Sequence, residues 1–186
     1  MTLLEKDKDL LASICIASFK RINELKRCLN SIDSKYPSKL EVIISEDHSS
    51  LRGQIENMVL EYARSSKYTI NFNSNEVNLG YDKNLEKLIS LAKGRYVIFM
   101  SDDDYFVENS LDKMLEFLGK EDEPFVYTPF ILSNKLVQRK YNNDVKVKKG
   151  SSEIGKYLYD AILFSGLIFK HELVRNISAE RFVNLN

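Results

Sequence analysis

The chain has 186 residues, of which 44% are hydrophobic and 29% are charged, so it can form a core and is not disordered as a whole. Lys plus Arg and Asp plus Glu each total 27, and the formal net charge of zero argues against a general nucleic-acid-binding protein. The two cysteines, Cys15 and Cys28, lack the spacing of a zinc site and are expected to be buried free thiols.

Short apolar runs alternate with amphipathic segments, which predicts a single layered α/β domain. In chain order the pattern predicts strand 11–18, helix 23–32, strand 40–45, helix 51–64, strand 68–72, helix 81–92, strand 95–100, helix 110–118, strand 124–130, a basic hairpin or mobile loop over 133–150, helix 154–163 and strand 165–170. The sequence contains no internal repeat.

The N-terminal segment is acidic and lacks a long apolar stretch, so it does not resemble a signal peptide. No segment approaches the roughly 18 apolar residues of a membrane span. We therefore expect a cytoplasmic protein, with peripheral contact at the inner face of the membrane as an alternative.

Three predicted strands end in polar side chains. Ser18 ends the first, Glu46 and Asp47 follow the second, and residues 102–104 follow the fourth. In open α/β sheets, ligands bind outside the carboxyl ends of the strands. If these strands are parallel neighbours, their polar ends converge on one site.

The run Asp102-Asp103-Asp104 is the strongest of these clusters. Adjacent carboxylates repel one another unless a cation neutralises them, and hard oxygen ligands suit Mg²⁺ or Mn²⁺. Such an ion can bridge a diphosphate and stabilise its departure. The alternative is a solvated turn in which Asp104 caps the following helix.

The other clusters each leave an alternative open. In the Glu46–Asp47 cluster a carboxylate could accept hydrogen bonds from a base or ribose, or Asp47, Ser49 or Ser50 could cap the helix that begins near Leu51. In the segment 78–84, Lys83 could reach a phosphate or base, or the segment could be a glycine turn before a helix. No phosphate-binding glycine motif is present.

The remaining polar features favour ordinary roles. His48 and His171 have no partner at metal-ligand spacing, so surface or packing roles are predicted. The basic residues between 135 and 149 are expected to be solvated surface, although they could also steer an anionic donor or a lipid-phosphate acceptor.

Taken together, four segments resemble the family 2 glycosyltransferases of the GT-A fold. The matching segments are 13–21 (SICIASFKR), 41–50 (EVIISEDHSS), 75–97 (NEVNLG, then Asn84, then AKGRYV) and 101–104 (SDDD). Within this family, the chain most resembles the abequosyltransferase-like enzymes of surface polysaccharide biosynthesis. These enzymes share the NLGxDxN and SDDD patterns and have a strand similar to 165–170.

This resemblance implies a Rossmann-like, three-layer α/β/α fold with a mostly parallel sheet. It implies that Ala17 and Ser18 line the pocket of the nucleotide base and that Asp47 contacts the base. It also implies that Lys83 helps to hold the nucleotide and that Asp102 lies near the ribose or sugar.

The same resemblance implies that Asp103 is the main ligand of Mn²⁺ or Mg²⁺ and that Asp104 supports it. The implied reaction transfers a sugar from a nucleotide-diphosphate donor to a glycan or lipid-linked glycan, with inversion at the anomeric carbon. Residues 11–131 would form the nucleotide-sugar part, and 132–186 would begin an acceptor-side part of a longer enzyme.

The sequence departs from the family pattern at four positions. Ala17 replaces a proline, Glu46 an aspartate and His48 a glycine, and Ser101 stands where many members carry the first aspartate of DxDD. These differences leave the donor base and sugar unassigned.

The catalytic base also stays unassigned, because Glu172 and Glu180 are candidates only by residue type. Two alternatives therefore accompany the glycosyltransferase prediction. One is a truncated, non-catalytic module that binds a nucleotide sugar. The other is a sugar nucleotidyltransferase, which ranks lower because it would normally need a glycine-rich loop where this chain has residues 18–21.

Overall fold

The computed structural model describes residues 9–128, 131–132, 135–136 and 164–178. Its elements, in chain order, are β1 (Ala12–Ser18), α1 (Ile22–Asn30), β2 (Leu40–Glu46), α2 (Arg52–Ser65), β3 (Thr69–Ser74), α3 (Tyr81–Leu91), β4 (Tyr96–Ser101), α4 (Ser110–Lys120), β5 (Phe125–Tyr127), β6 (Ile131–Leu132), β7 (Lys135–Leu136), β8 (Leu167–Lys170) and α5 (His171–Val174). A short 3₁₀ turn, Pro37–Lys39, precedes β2.

Every predicted element that falls on these residues is present, with ends that differ by a few residues. The predicted helix 154–163 lies outside the described residues. Of the basic segment 133–150, the structure describes only 135–136, which pairs antiparallel with 131–132.

The main sheet has six strands in the order β3-β2-β1-β4-β8-β5. The first four are mutually parallel, whereas β8 runs antiparallel between β4 and β5. The predicted mostly parallel sheet is therefore confirmed. The position of β8 was not predicted. Although β8 comes after β5 in the chain, it lies between β4 and β5 in the sheet. Residues 164–166, just before β8, therefore lie at the carboxyl end of β4.

Helices cover both faces of this sheet, which explains why β1 and β2 are buried along almost their whole length. On one face, Ile14 and Ile16 pack in a cluster that includes buried residues of α1, α2 and α4. On the other face, Cys15 packs with Leu88 of α3 and Val174 of α5. The three-layer α/β/α architecture follows directly from this alternation.

Both cysteines are buried and free, as predicted. Burial raises the pKa of the Cys28 thiol to about 12 and raises that of Cys15 as well. Neither thiol is therefore a nucleophile at neutral pH. Among the described residues, no helix has the length and apolar character needed to cross a membrane.

A buried polar network closes the amino-terminal edge of the sheet. The Ser13 hydroxyl donates to Glu41 Oε1 at 2.6 Å, and the N–H of Lys93 donates to the same oxygen at 2.7 Å. The N–H of Gly94 donates to Ser13 Oγ at 2.8 Å. Gly94 lies so close to β1 that an added Cβ would be 2.5 Å from the carbonyl carbon of Ala12.

Candidate functional site

The carboxyl ends of β1, β2 and β4 open into a cavity of about 520 Å³. Five of the residues predicted from the sequence line it: Ala17, Ser18, Asp47, Asp102 and Asp103. They come from three strands that are adjacent in the sheet, so the predicted convergence of polar strand ends is present in the fold.

Two other predicted site residues lie apart from the cavity wall. Lys83 is exposed on α3, and Asp104 is exposed after β4. The Asp104 carboxylate accepts a hydrogen bond from the Ser165 hydroxyl, just before β8. It does not cap α4, which begins at Ser110 with Asn109 as its N-cap.

The acidic turn after β4 is held by two arginines of the α1 segment. Nη1 of Arg21 lies 3.0 Å from Asp102 Oδ1 and 2.7 Å from Asp103 Oδ2. Nη2 of Arg27 donates to the backbone oxygen of Asp103 at 2.6 Å. The N–H of Phe19 donates to Asp102 Oδ2 at 3.3 Å. Arg21 and the N–H of Phe19 therefore hold the side chains of the turn, whereas Arg27 holds its backbone.

The two carboxylates that face the cavity have different surroundings. The Asp102 side chain is 4% exposed, whereas that of Asp103 is 45% exposed. Burial raises the pKa of Asp102, although the Phe19 N–H and the Arg21 guanidinium act in the opposite direction. The hydrogen bond to Asp102, and then the charges of Asp102 and Asp103, raise the pKa of Arg21. The guanidinium of Arg21 thus contacts two carboxylates of the turn, and the guanidinium of Arg27 contacts only its backbone.

These carboxylates do not form a closed metal cage. Within the part of the chain that the structure describes, no group of three or more His, Cys, Asp or Glu side chains could hold a metal ion. Mg²⁺, however, is commonly held by one or two carboxylates together with substrate phosphates. Asp102 and Asp103 at the cavity wall fit that second arrangement, in which the metal is shared with a bound diphosphate.

Asp47 holds the loop between β3 and α3. Its Oδ1 accepts the N–H of Leu79 at 2.8 Å, and its Oδ2 accepts the N–H of Gly80 at 2.9 Å. The Asn75 side chain donates to Asp47 Oδ1 and to Asn84 Oδ1, both at 2.9 Å. Neither alternative from the sequence included this role: Asp47 positions the loop that forms one wall of the cavity.

Asn75 and Asn84 position the site, and the sequence assigned no role to either. Both are buried, and the Asn84 side chain donates to the Ser45 carbonyl at 3.0 Å in β2. They therefore tie the start of α3 to the carboxyl end of β2. The sequence did contain an indication of this role, because Asn75 begins the NEVNLG segment and Asn84 is the asparagine that follows it in the family pattern.

The turn before α2 is satisfied by Glu46 and Ser49 rather than by Asp47. Glu46 Oε1 accepts the N–H of Ser49 at 2.9 Å, and Ser49 Oγ accepts the N–H of Leu51 at 3.2 Å. The N-cap of α2 is Leu51, with no side-chain cap hydrogen bond, so the alternative in which Asp47, Ser49 or Ser50 caps this helix is wrong. His171 packs with Nε2 at 3.1 Å from the Ile89 carbonyl oxygen, in keeping with its predicted packing role.

His48 explains one departure from the family pattern. Its φ is +54°, in the left-handed region that glycine adopts without steric cost, where the family carries a glycine. Its Nδ1 lies 3.2 Å from the Asn75 carbonyl oxygen and 2.8 Å from Nη1 of Arg52.

We expect His48→Gly to raise the free energy of unfolding by about 0.5–1 kcal/mol, because relief of left-handed strain exceeds the entropic cost of glycine. Urea unfolding followed by circular dichroism measures this change. His48→Ala removes the imidazole contacts but keeps the Cβ, so it should be no more stable than the parent. A His48→Gly protein less stable than His48→Ala would contradict the strain argument.

Aromatic side chains form a further wall that the sequence did not indicate. Tyr81 of α3 and Phe164 line the cavity, with ring centroids 5.6 Å apart. Phe164 also packs on Phe99 of β4, at 4.9 Å between centroids. Because Phe164 belongs to the segment that returns to the sheet as β8, only the long-range strand pairing brings it to the site.

The sequence of this chain matches one family model and several known proteins. The family model described as glycosyl transferase family 2 matches residues 13–171. The abequosyltransferase RfbV of Salmonella typhimurium is 32% identical over 114 residues, which are 60% of this chain and 34% of that protein. A Campylobacter jejuni GalNAc(5)-diNAcBac-PP-undecaprenol beta-1,3-glucosyltransferase is 27% identical over 173 residues, 88% of this chain and 53% of that protein. The chain therefore spans between a third and about half of the length of these relatives.

Solved structures confirm the GT-A fold. The crystal structure of S. aureus TarS 1-349 superposes with a TM-score of 0.72 at 18% identity, over 89% of this chain and 48% of that one. The mannosyltransferase PcManGT from Pyrobaculum calidifontis, in complex with GDP-Man and Mn²⁺, gives a TM-score of 0.64 at 15% identity, over 95% of this chain and 47% of that one.

Proposed function

Because this chain belongs to glycosyl transferase family 2, we propose that it binds a nucleotide-diphosphate sugar for transfer to a glycan or lipid-linked glycan in cell-surface polysaccharide synthesis. The observation that carries the proposal is the cavity at the carboxyl ends of β1, β2 and β4, where the Asp102–Asp103 pair faces the loop held by Asp47. The undecaprenol-linked substrate in the name of one relative supports a lipid-linked acceptor. With such an acceptor, the proposed location remains the cytoplasm at the inner face of the membrane.

The nucleotide is proposed to lie between Ala17, Ser18 and Asp47. A carboxylate offers about four acceptor sites, and three donors of the chain already use the oxygens of Asp47. About one acceptor site is left for an N–H of the base. Lys83 remains a predicted nucleotide contact, from an exposed position on α3.

Mn²⁺ or Mg²⁺ is proposed to be held by Asp103, the more exposed carboxylate, with Asp102 beside it near the ribose or sugar. The ion would neutralise charge on the departing nucleoside diphosphate. Asp104, anchored by Ser165, is proposed to support the turn. The chain's own contribution is to orient the diphosphate at the end of β4.

The attack of the acceptor hydroxyl on the anomeric carbon, with inversion, needs a base that takes the acceptor's proton. No catalytic base is assigned among the described residues. Glu172 is exposed on α5 and lines a separate cavity, and Glu180 lies outside the described residues. The proposal therefore concerns the donor side of the reaction.

A thermal-unfolding panel of nucleoside diphosphates, with and without Mn²⁺, tests the donor site. We expect one diphosphate to raise the melting temperature only when Mn²⁺ is present. Its stabilisation should reach about 2.7 kcal/mol at a ligand concentration about 100 times the Kd. If no diphosphate with Mn²⁺ changes the melting temperature, the donor-site proposal is wrong.

A second candidate is a module that binds a nucleotide sugar but lacks transfer activity by itself, and the observation behind it is that no catalytic base is assigned among the described residues. Donor hydrolysis and sugar transfer, measured on this chain and on a longer one that includes an acceptor-side part, separate the two candidates. Comparable transfer by both chains would exclude the binding module.

A further inference from the structure

Arg21 forms an ion pair with both Asp102 and Asp103, the carboxylates proposed to lie at the metal site. The inference drawn from this ion pair rests on the proposed function. A single atom, Nη1, lies 3.0 Å from Asp102 Oδ1 and 2.7 Å from Asp103 Oδ2. It therefore takes the position between the two carboxylates where a cation is best stabilised. The Arg21 side chain is 49% exposed, so it can move away without disturbing the core.

We infer that Arg21 is an internal counter-ion that a divalent cation has to displace from Asp103, and that the donor's diphosphate then becomes its partner. Metal alone removes the shorter of the two carboxylate contacts of Arg21, the one to Asp103. Metal together with a diphosphate restores a charged hydrogen-bonding partner. Metal and diphosphate consequently bind cooperatively, and each raises the affinity for the other by the same factor.

The acidic turn has other supports that hold it in place when Arg21 leaves. Arg27 donates to the backbone oxygen of Asp103, and its guanidinium lies 5.2 Å from the centre of the Tyr105 ring. Asp102 keeps the N–H of Phe19 as a donor. The displacement therefore needs only a side-chain rotation of Arg21.

The test measures Mn²⁺ binding by electron paramagnetic resonance, without and with UDP or GDP. Arg21→Gln should bind Mn²⁺ alone about 3- to 10-fold more tightly than the parent, since Mn²⁺ no longer competes with an ion pair. In the same variant, the factor by which UDP or GDP raises Mn²⁺ affinity should fall towards one. Arg21→Lys, which keeps the charge but not the planar fork, should lie between the two proteins.

Lys20→Gln is the matched control. Lys20 is the exposed neighbour of Arg21, and its ammonium lies 4.9 Å from the centre of the Phe19 ring. Its removal lowers the local positive charge by the same amount, so a general electrostatic effect would tighten Mn²⁺ binding equally in both variants. That result, or unchanged Mn²⁺ affinity in Arg21→Gln, would overturn the inference.

Asp103→Asn separates this inference from the proposed metal site. If Asp103→Asn binds Mn²⁺ and diphosphate as the parent does, the metal site itself is wrong. If Asp103→Asn loses both while Arg21→Gln behaves as the parent, the metal site stands and only the displacement of Arg21 is wrong.

Discussion

Asp103→Ala is expected to abolish the stabilisation that Mn²⁺ and a nucleoside diphosphate give together. Asp103 presents a 45%-exposed carboxylate at the cavity wall, whereas Asp102 is held more deeply by Phe19 and Arg21. Loss of the principal ligand should weaken metal-dependent diphosphate binding by about 100-fold or more, or roughly 2.7 kcal/mol. The measurement is the thermal shift across a titration of diphosphate at fixed Mn²⁺.

Asp104→Ala is the control for the loss of one carboxylate from the same turn. Its carboxylate bonds Ser165 and does not line the cavity, so most of the metal-dependent shift should survive. An Asp103→Ala protein that responds like the parent would show that the metal assignment is wrong. Equal losses in both variants would instead indicate that the turn acts as a unit.

Gly94→Ala is expected to lower the free energy of unfolding by about 3 kcal/mol, the upper end of the usual cost of overpacking, because the added methyl group meets strand backbone. An added Cβ would lie 2.5 Å from the carbonyl carbon of Ala12 and 2.6 Å from the nitrogen of Ser13. Those atoms belong to β1, which pairs on both sides in the sheet. Guanidinium-induced unfolding, followed by circular dichroism, measures the change.

Gly53→Ala is the matched substitution in α2, where an added Cβ meets nothing within 4 Å. Alanine is the better helix former, so this variant should be more stable than the parent by up to about 1 kcal/mol. A Gly94→Ala protein as stable as Gly53→Ala would show that β1 can shift to admit a methyl group.

The two glycines also show where a sequence pattern is informative. The AKGRYV segment is part of the resemblance to the family, but the sequence alone assigned no packing role to Gly94. The structure shows a different requirement, which is the close approach of Gly94 to β1. A local pattern can indicate that glycine is needed at a position. The atoms with which a larger side chain would clash belong to a strand about 80 residues earlier, so the pattern does not identify them.

The sequence by itself determined the succession of strands and helices and the strand ends at which the carboxylates lie, because periodicity and strand ends are local properties. It also determined the family, since the matching segments occur in order. The direction of each carboxylate was decided only by the tertiary structure. Asp103 turns towards Arg21, 82 residues away, and Asp104 towards Ser165, 61 residues away. Hydrogen-bond partners so distant in the chain become neighbours only when β1 and β8 pair with the two sides of β4.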